Sequence, residues 1–123
     1  MLVMTANRRL LIQVAPNAGY TIFRHVGCFT EYEKNALAVF NKAVMGIPGK
    51  AAVIDMTDSF LIDAFGFGNL LILNGTMAAR GKVLSILING DSTVRQRLHS
   101  SGVADIVPVY ASLAQCAVAL AHL

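Results

Sequence analysis

Apolar residues occur along the chain in short runs separated by turn-forming residues, a pattern typical of strands and helices in succession. The first two runs, Leu10–Ala15 and Tyr20–Phe29, contain several β-branched residues and flank the sequence Pro-Asn-Ala-Gly at 16–19. Because these residue types favour tight turns, the pattern predicts a β-hairpin.

Two sites along the chain have the spacing of a capping box, in which a hydroxyl and a side chain three residues later satisfy backbone groups at a helix start. Thr30 and Glu33 form the first pair and predict a helix over 31–45. Ser112 and Gln115 form the second pair and predict a terminal Ala-rich helix.

The middle of the chain predicts a buried strand that leads directly into a second helix. The apolar run 51–56 is the start of this strand, and further apolar residues extend it to Asp63. Asp63 is placed to cap a helix over Ala64–Ala79, and Gly81 to close it, since carboxylates cap helix starts and glycine tolerates the exit geometry.

The last third of the chain predicts two more strands with a helix between them. Residues 83–88 form an almost wholly apolar strand, and Asp91 caps a helix that runs to about Ser100. Gly102 ends this helix, and 106–110 form the last strand.

The predicted element order is β-β-α-β-α-β-α-β-α, which indicates an α/β fold with a mostly parallel central sheet and packed helices. The chain has 123 residues, a length that fits one domain over 1–123, with a core from about residue 9. Hydrophobic residues make up 55% and charged residues 14%, against typical values of about 45–50% and about 25%. This composition excludes disorder and predicts exposed apolar patches, hence partners.

Charge and hydropathy disfavour nucleic acid and membranes as partners. The net charge is +3, but the ten Lys and Arg residues are scattered, apart from Arg8-Arg9, and Trp is absent. Nucleic-acid binding would call for clustered charge and stacking aromatics. The basic pair follows the first apolar residues, the reverse of a secretory signal, and no apolar run approaches the roughly 18 residues of a membrane span. We therefore expect a cytoplasmic protein with no membrane insertion.

Catalytic and metal-binding patterns are missing, so we expect no enzyme activity, cofactor or metal. The sequence has no G-x-S-x-G, and a dinucleotide fingerprint that begins at Gly66 and Gly68 fails at Leu71. His25 and Cys28 lie three residues apart on a predicted strand and point to opposite faces, which indicates a strand histidine and a buried thiol. His99 and His122 are predicted on the surface. Asp55, Asp58 and Asp63 are the acidic group of interest, although nothing in the sequence positions a substrate beside them.

The start of the second helix is the most distinctive place in the sequence. A buried strand ends there at unpaired N–H groups, which together with the helix dipole favour an anion such as a regulatory phosphate. A well-capped helix without a binding role explains the same pattern, and caps are common enough that the pattern alone favours this second interpretation.

This stretch resembles the STAS domains, named for sulphate transporters and anti-sigma factor antagonists. The motif residues are Ile62-Asp63-Ala64-Phe65-Gly66-Phe67-Gly68, followed by 82–90, 94–98 and 101–110, and the resemblance extends over nearly the whole chain. It implies a non-catalytic interaction module in which the unphosphorylated antagonist binds an anti-sigma factor that is a serine kinase.

In that family the kinase phosphorylates the serine directly after the motif's aspartate. The resemblance places Ala64 at this position, and Phe65 follows it, so no hydroxyl replaces the serine. It therefore implies a protein that stays in its binding-competent form. Alternatively, Ala64 is an engineered replacement of a native serine. Phe65 argues against this alternative, because it departs from the family motif independently. Thr57 and Ser59 are minor candidate phosphosites on the predicted approach loop, although turn or capping roles are the favoured interpretation.

A helical projection divides Ala64–Ala79 into a core face and an outer face without charge. The predicted core face comprises Phe67, Leu70, Leu71, Asn74, Met77 and Ala78. The predicted outer face comprises Gly68, Ile72, Gly75, Thr76 and Ala79. The expected partner surface, or alternatively homodimer interface, comprises Asp63, Phe65, Gly66, Gly68, Asn69 and Ile72.

Two other function classes stay open from the sequence. One is a soluble STAS-type subunit of a lipid-transport ABC system, which would bind its ATPase subunit through the same helix. The other, less favoured, is a small α/β enzyme or nucleotide binder, because general acid and base candidates are lacking.

Overall fold

The computed structural model describes residues 2–4, 10–15, 19–121 and 123. Within them, six strands form one sheet, with α-helices packed against it. The strands are β1 (Leu2–Met4), β2 (Leu10–Ala15), β3 (Tyr20–Phe29), β4 (Ala51–Ile62), β5 (Val83–Leu87) and β6 (Val109–Tyr110). The α-helices are α1 (Lys34–Met45), α2 (Ala64–Ala79), α3 (Thr93–Ser100) and α4 (Leu113–Leu120).

The sheet order follows the chain, from β1 to β6. Strands β1, β2 and β3 pair antiparallel, and β3 to β6 pair parallel. The predicted α/β class, the hairpin of β2 and β3, and the mostly parallel sheet are therefore confirmed. The turn residues 16–18 lie outside the described residues.

Two hydrophobic clusters lie on the two faces of the sheet. Helices α1, α2 and α3 pack on the first face, where Ile54 and Ile86 are fully buried. Helix α4 packs on the second face, where its Cys116 lies in one cluster with Val53 of β4 and Leu87 of β5. Because adjacent strand residues point to opposite faces and both faces are covered, the first part of β4 (51–54) and most of β5 are apolar.

The start of α1 differs from the prediction. A 3₁₀ turn over Glu31–Glu33 precedes the α-helix, and the side chains of Thr30 and Glu33 make no capping hydrogen bond. Thr30 is buried. The predicted capping box is therefore wrong, and the Glu31 N–H is satisfied instead by the carboxylate of Asp63, at 3.1 Å.

The predicted caps of the last two helices have different outcomes. Ser92 rather than Asp91 caps α3, since its Oγ accepts a hydrogen bond from the Arg95 N–H at 3.1 Å. At α4 the prediction is confirmed, because Ser112 Oγ accepts from the Gln115 N–H at 3.2 Å. The Gln115 side chain accepts from the backbone N–H of residue 111. The predicted strand over 106–110 is shortened to β6 by a preceding 3₁₀ turn over Val103–Asp105.

Histidine and cysteine side chains lie mostly where the sequence indicates. His25 is buried on the first face, edge-on to the rings of Phe29 and Phe40. His99 is exposed, as predicted, and His122 lies outside the described residues. Cys28 is half-buried rather than buried, and it lies at a register irregularity between β3 and β4.

Candidate interaction surface at the start of helix α2

The carboxylate of Asp63 caps two elements at once. Its Oδ1 accepts a hydrogen bond from the Gly66 N–H at 2.9 Å, which caps α2 as predicted. Its Oδ2 accepts from the Glu31 N–H at 3.1 Å, in the turn that precedes α1. One acidic side chain therefore satisfies backbone donors from two neighbouring elements, and a carboxylate at a helix N-terminus is also favoured by the helix dipole.

Gly66 is a packing residue and is removed from the predicted partner surface. It is buried, and a Cβ added there would lie 2.1 Å from the backbone oxygen of Phe29 and 2.8 Å from Cγ1 of Ile62. Only a residue without a side chain permits this approach of α2 to the ends of β3 and β4.

The other predicted surface positions on α2 are accessible to different degrees. Ala64 is exposed, Phe65 is 38% exposed and Ile72 is 73% exposed. Gly68 is half-buried, and an added Cβ would meet open space. Helix α2 contains no Asp, Glu, Lys or Arg. Its outward side is therefore an apolar surface without charge, which we call the α2 face and define by Ala64, Phe65, Gly68 and Ile72.

The core-facing side of α2 is rotated from the prediction. Its buried residues are Gly66, Leu70, Leu73 and Met77. Leu71 and Ala78, predicted in the core, are exposed, whereas the buried Leu73 was missed. Gly66, whose lack of a side chain permits the close approach to β3 and β4, lies on this buried side.

Asn69 connects α2 to α1 rather than standing free on the surface. Its Oδ1 accepts from Asn41 Nδ2 at 2.7 Å, and its Nδ2 donates to Asn41 Oδ1 at 3.0 Å. This reciprocal amide pair uses one donor and one acceptor of each side chain. The pair holds α1 beside the α2 face, and Asn69 supports that face more than it offers hydrogen bonds to a partner.

A groove of about 530 Å³ borders the α2 face where the carboxyl end of β4 meets the start of α1. It is lined by Thr30, Glu31, Tyr32, Leu61, Ile62, Asp63 and Arg97. Tyr32 is 94% exposed, and Leu61 is 46% exposed. Arg97 of α3 donates from Nη1 to the carbonyl of Ile62 at 3.3 Å, which brings a positive charge to this edge.

Tyr32, Leu61 and Arg97 line the groove but are not among the site residues predicted from the sequence. They belong to three different elements, and only the parallel sheet brings those elements to one edge. The predicted sheet topology could have indicated this place, because ligands of open α/β sheets often bind at the carboxyl ends of the strands.

Thr57 and Ser59 lie within β4, so their prediction as approach-loop residues is wrong. Thr57 Oγ1 accepts from the Asn89 N–H at 2.9 Å and connects β4 to the end of β5. Ser59 is 3% exposed, and its Oγ lies 2.6 Å from Nδ1 of His25. Both hydroxyls therefore have structural partners, and a kinase has no access to Ser59 in the folded chain.

Two features of the described part of the chain bear on metal binding and on membrane insertion. No three or more His, Cys, Asp or Glu residues within it are placed to hold a metal ion together. None of its helices combines the length and apolar character needed to cross a membrane.

The comparison with known proteins gives structural relatives. No protein-family model and no curated protein matches the sequence. The fold is similar to that of an anti-sigma factor antagonist from Mycobacterium paratuberculosis, with a TM-score of 0.77 at 18% identity over 96% of this chain and 98% of that one.

Two further structures share the fold. The anti-sigma factor antagonist SpoIIAA in its unphosphorylated form gives a TM-score of 0.61 at 14% identity, over 92% of this chain and 97% of that one. The SulP transporter STAS domain from Vibrio cholerae gives 0.64 at 17% identity, over 89% and 85%. The resemblance seen in the sequence is therefore confirmed at the level of architecture, and the chain has the fold of the STAS domains.

Proposed function

We propose that this chain is a non-catalytic, partner-switching regulator of the anti-sigma factor antagonist kind, which binds its partner through the α2 face. The observation that carries the proposal is the charge-free, accessible surface at the start of α2, from Ala64 to Ile72. An exposed apolar patch of this kind on a small domain is typical of an interaction site.

The groove beside the α2 face extends this surface. Tyr32 and Leu61 provide further exposed apolar area, and aromatic residues are enriched among those that dominate binding energy. Arg97 and Glu31 place opposite charges at the rim of the groove, where charges set orientation and association rate more than affinity.

Ala64 is the reason for proposing that phosphorylation at the start of α2 does not switch off binding. It is the first residue of α2, next to N–H groups that would stabilise a phosphate on a serine at this position. Alanine has no hydroxyl, so the roughly −1.5 to −2 charge of a phosphate cannot be added there. The regulator therefore stays competent to bind.

The partner we propose is an anti-sigma factor or a related serine kinase, which is the partner class that the anti-sigma factor antagonists among the structural relatives suggest. A transporter-associated role is the second candidate, because a SulP transporter STAS domain shares the fold. Both candidates use the α2 face, so the choice between them depends on which purified partner binds.

A matched pair of substitutions tests the surface. Ile72 on α2 and Val118 on α4 are 73% and 74% exposed, so each takes a charge without loss of core packing. Ile72→Asp should weaken binding of the purified anti-sigma kinase from the same genome about tenfold or more, as expected for an anchor residue of an interface. Val118→Asp should leave it unchanged. Equal binding of both variants would show that the α2 face is not the interface.

Size-exclusion chromatography of the same variants tests the alternative that the α2 face forms a homodimer. A dimer that forms through α2 would be lost in Ile72→Asp and kept in Val118→Asp. A monomer in both wild type and variants leaves the α2 face free for a different protein.

A further inference from the structure

A cavity of about 300 Å³ lies on the second face of the sheet, where the first half of β3, the middle of β4 and the carboxyl end of β5 meet the start of α4. It is distant in the fold from the α2 face, since α2 packs on the first face and α4 on the second. Ile22, Leu87 and Leu113 provide apolar walls, and the remaining lining is polar or charged.

An irregularity in β4 brings two carboxylates into this cavity. Arg24 of β3 lies opposite Asp55, and Val26 lies opposite Asp58, so β4 has one more residue than β3 in this interval. In a regular strand, residues three apart point to opposite faces. The extra residue lets Asp55 and Asp58 line the same cavity, and bulges commonly redirect side chains in this way at functional sites.

The two carboxylates have different partners. Asp58 forms an ion pair with Arg24 at the rim, and this hydrogen bond raises the pKa of Arg24. Asp55 is half-buried, its Oδ1 accepts from the Thr57 N–H at 3.0 Å, and it has no ion pair within the described ranges. Two carboxylates and one guanidinium give the lining of the cavity a net charge of −1. Arg24 pairs directly with Asp58 and interacts with Asp55 only as a weaker, more distant charge.

A neighbouring thiol responds to this charge. Burial and, to a smaller extent, the negative charge of Asp55 raise the pKa of Cys116 on α4 to about 11. The charge of Asp55 therefore influences a side chain of α4, and the first residue of that helix, Leu113, lines the cavity.

The walls of the cavity are held in place before any ligand enters. Thr57 Oγ1 accepts from the Asn89 N–H at 2.9 Å, which fixes the end of β5 against β4. The Thr57 N–H in turn orients the Asp55 carboxylate. A site whose polar groups are already oriented loses less entropy on binding.

We propose that this cavity binds a small organic cation, with an ammonium or guanidinium group at Asp55 and a short aliphatic chain against Ile22, Leu87 and Leu113. The charge argues for this class over anions, since a carboxylate or phosphate would meet Asp55 and Asp58 with Arg24 already paired. The apolar walls argue for an aliphatic chain over a bare inorganic cation, which takes oxygen ligands on several sides.

The test is a titration of the full chain, followed by the ¹⁵N–¹H resonances of Asp55, Thr57 and Leu113. n-Butylammonium should shift these resonances saturably, and butyrate, which has the opposite charge, should not. Asp55→Asn, which keeps the shape and removes the charge, should weaken n-butylammonium binding about tenfold or more, the usual loss for a charge-assisted contact. Asp105→Asn, which alters an exposed carboxylate in the 3₁₀ turn over Val103–Asp105 and outside the cavity lining, should bind like wild type.

A second measurement keeps the proposal testable if Asp55→Asn does not fold. Wild-type affinity should rise several-fold from methylammonium to n-butylammonium as methylenes are buried, and Leu113→Ala should reduce that rise. Butyrate binding as tightly as n-butylammonium, or an affinity independent of Asp55 and of chain length, would overturn the proposal. Neither result depends on the α2 face, so the two proposals fail separately.

Discussion

The carboxylate of Asp63 and the backbone N–H of Glu31 are joined by a hydrogen bond of 3.1 Å, across 32 residues of sequence. The other oxygen of the same carboxylate caps α2 at Gly66. The start of α2 and the turn before α1 therefore have a common anchor, and the groove beside the α2 face is formed around it.

Replacement of Asp63 should destabilise the fold more than loss of an ordinary cap. Asp63→Ala removes a helix cap, which costs about 0.5–2 kcal/mol, and a second hydrogen bond worth about 1 kcal/mol. We expect the free energy of unfolding in urea to fall by about 1.5–3 kcal/mol, from the sum of these two effects. Asp91→Ala is the control, because Ser92 caps α3, and it should stay within about 0.5 kcal/mol of wild type. Equal losses in the two variants would contradict the double role of Asp63.

Gly66 and Gly68 should respond oppositely to the same substitution. Gly66→Ala places a Cβ against the backbone of Phe29, and we expect a loss of about 3 kcal/mol or more, since backbone must move. Gly68→Ala meets open space and should stabilise the helix by about 0.5–1 kcal/mol. Thermal or urea unfolding of the two variants measures both effects. A tolerated Gly66→Ala would show that α2 does not approach β3 as closely as described.

The order of elements and the bounds of α2 could be predicted because local signals mark them. The apolar runs, Asp63 before the helix and Gly81 after it all act within a few residues of the elements they define. The start of α1 could not be predicted in the same way. Thr30 has the right spacing for a cap, but the tertiary fold supplies Asp63, which is not adjacent in sequence, and buries Thr30 instead.

The candidate site was predicted in part for the same physical reason. Ala64 and Phe65 are adjacent in the first turn of α2, and Ile72 lies about two turns further along the same helix, so helical periodicity finds them. Tyr32 and Arg97 come to the groove through sheet pairing, which no local pattern encodes. The bulge in β4 places Asp58 on the same face as Asp55. It could not be predicted either, because regular alternation along a strand would place these two residues on opposite faces.

Cys116 should make the fold less stable at high pH. Burial and Asp55 raise its pKa from 9.0 to about 11, so the unfolded chain loses this proton first. The contribution of this thiol to the free energy of unfolding is constant well below pH 9. It falls as pH rises from 9 toward 11, by at most about 1.4 kcal/mol per pH unit for one group.

The Cys116→Ala variant isolates the effect of this thiol from that of every other ionisable group in the protein. It should be less stable than wild type at about pH 8, because a buried side chain is shortened. The difference in free energy of unfolding between the two proteins should narrow by about pH 10.5. A difference that stays constant with pH would show that the folded thiol ionises as it does in the unfolded chain.

The most direct test of the central claim is the affinity for the purified anti-sigma serine kinase before and after incubation with ATP, with the intact mass recorded in the same sample. Wild type should keep its mass and its affinity, because Ala64 offers no phosphoacceptor. Ala64→Ser should gain one phosphate and bind about tenfold more weakly or worse, since the added charge lies within the α2 face. A wild-type chain that gains a phosphate and releases the kinase would contradict the account.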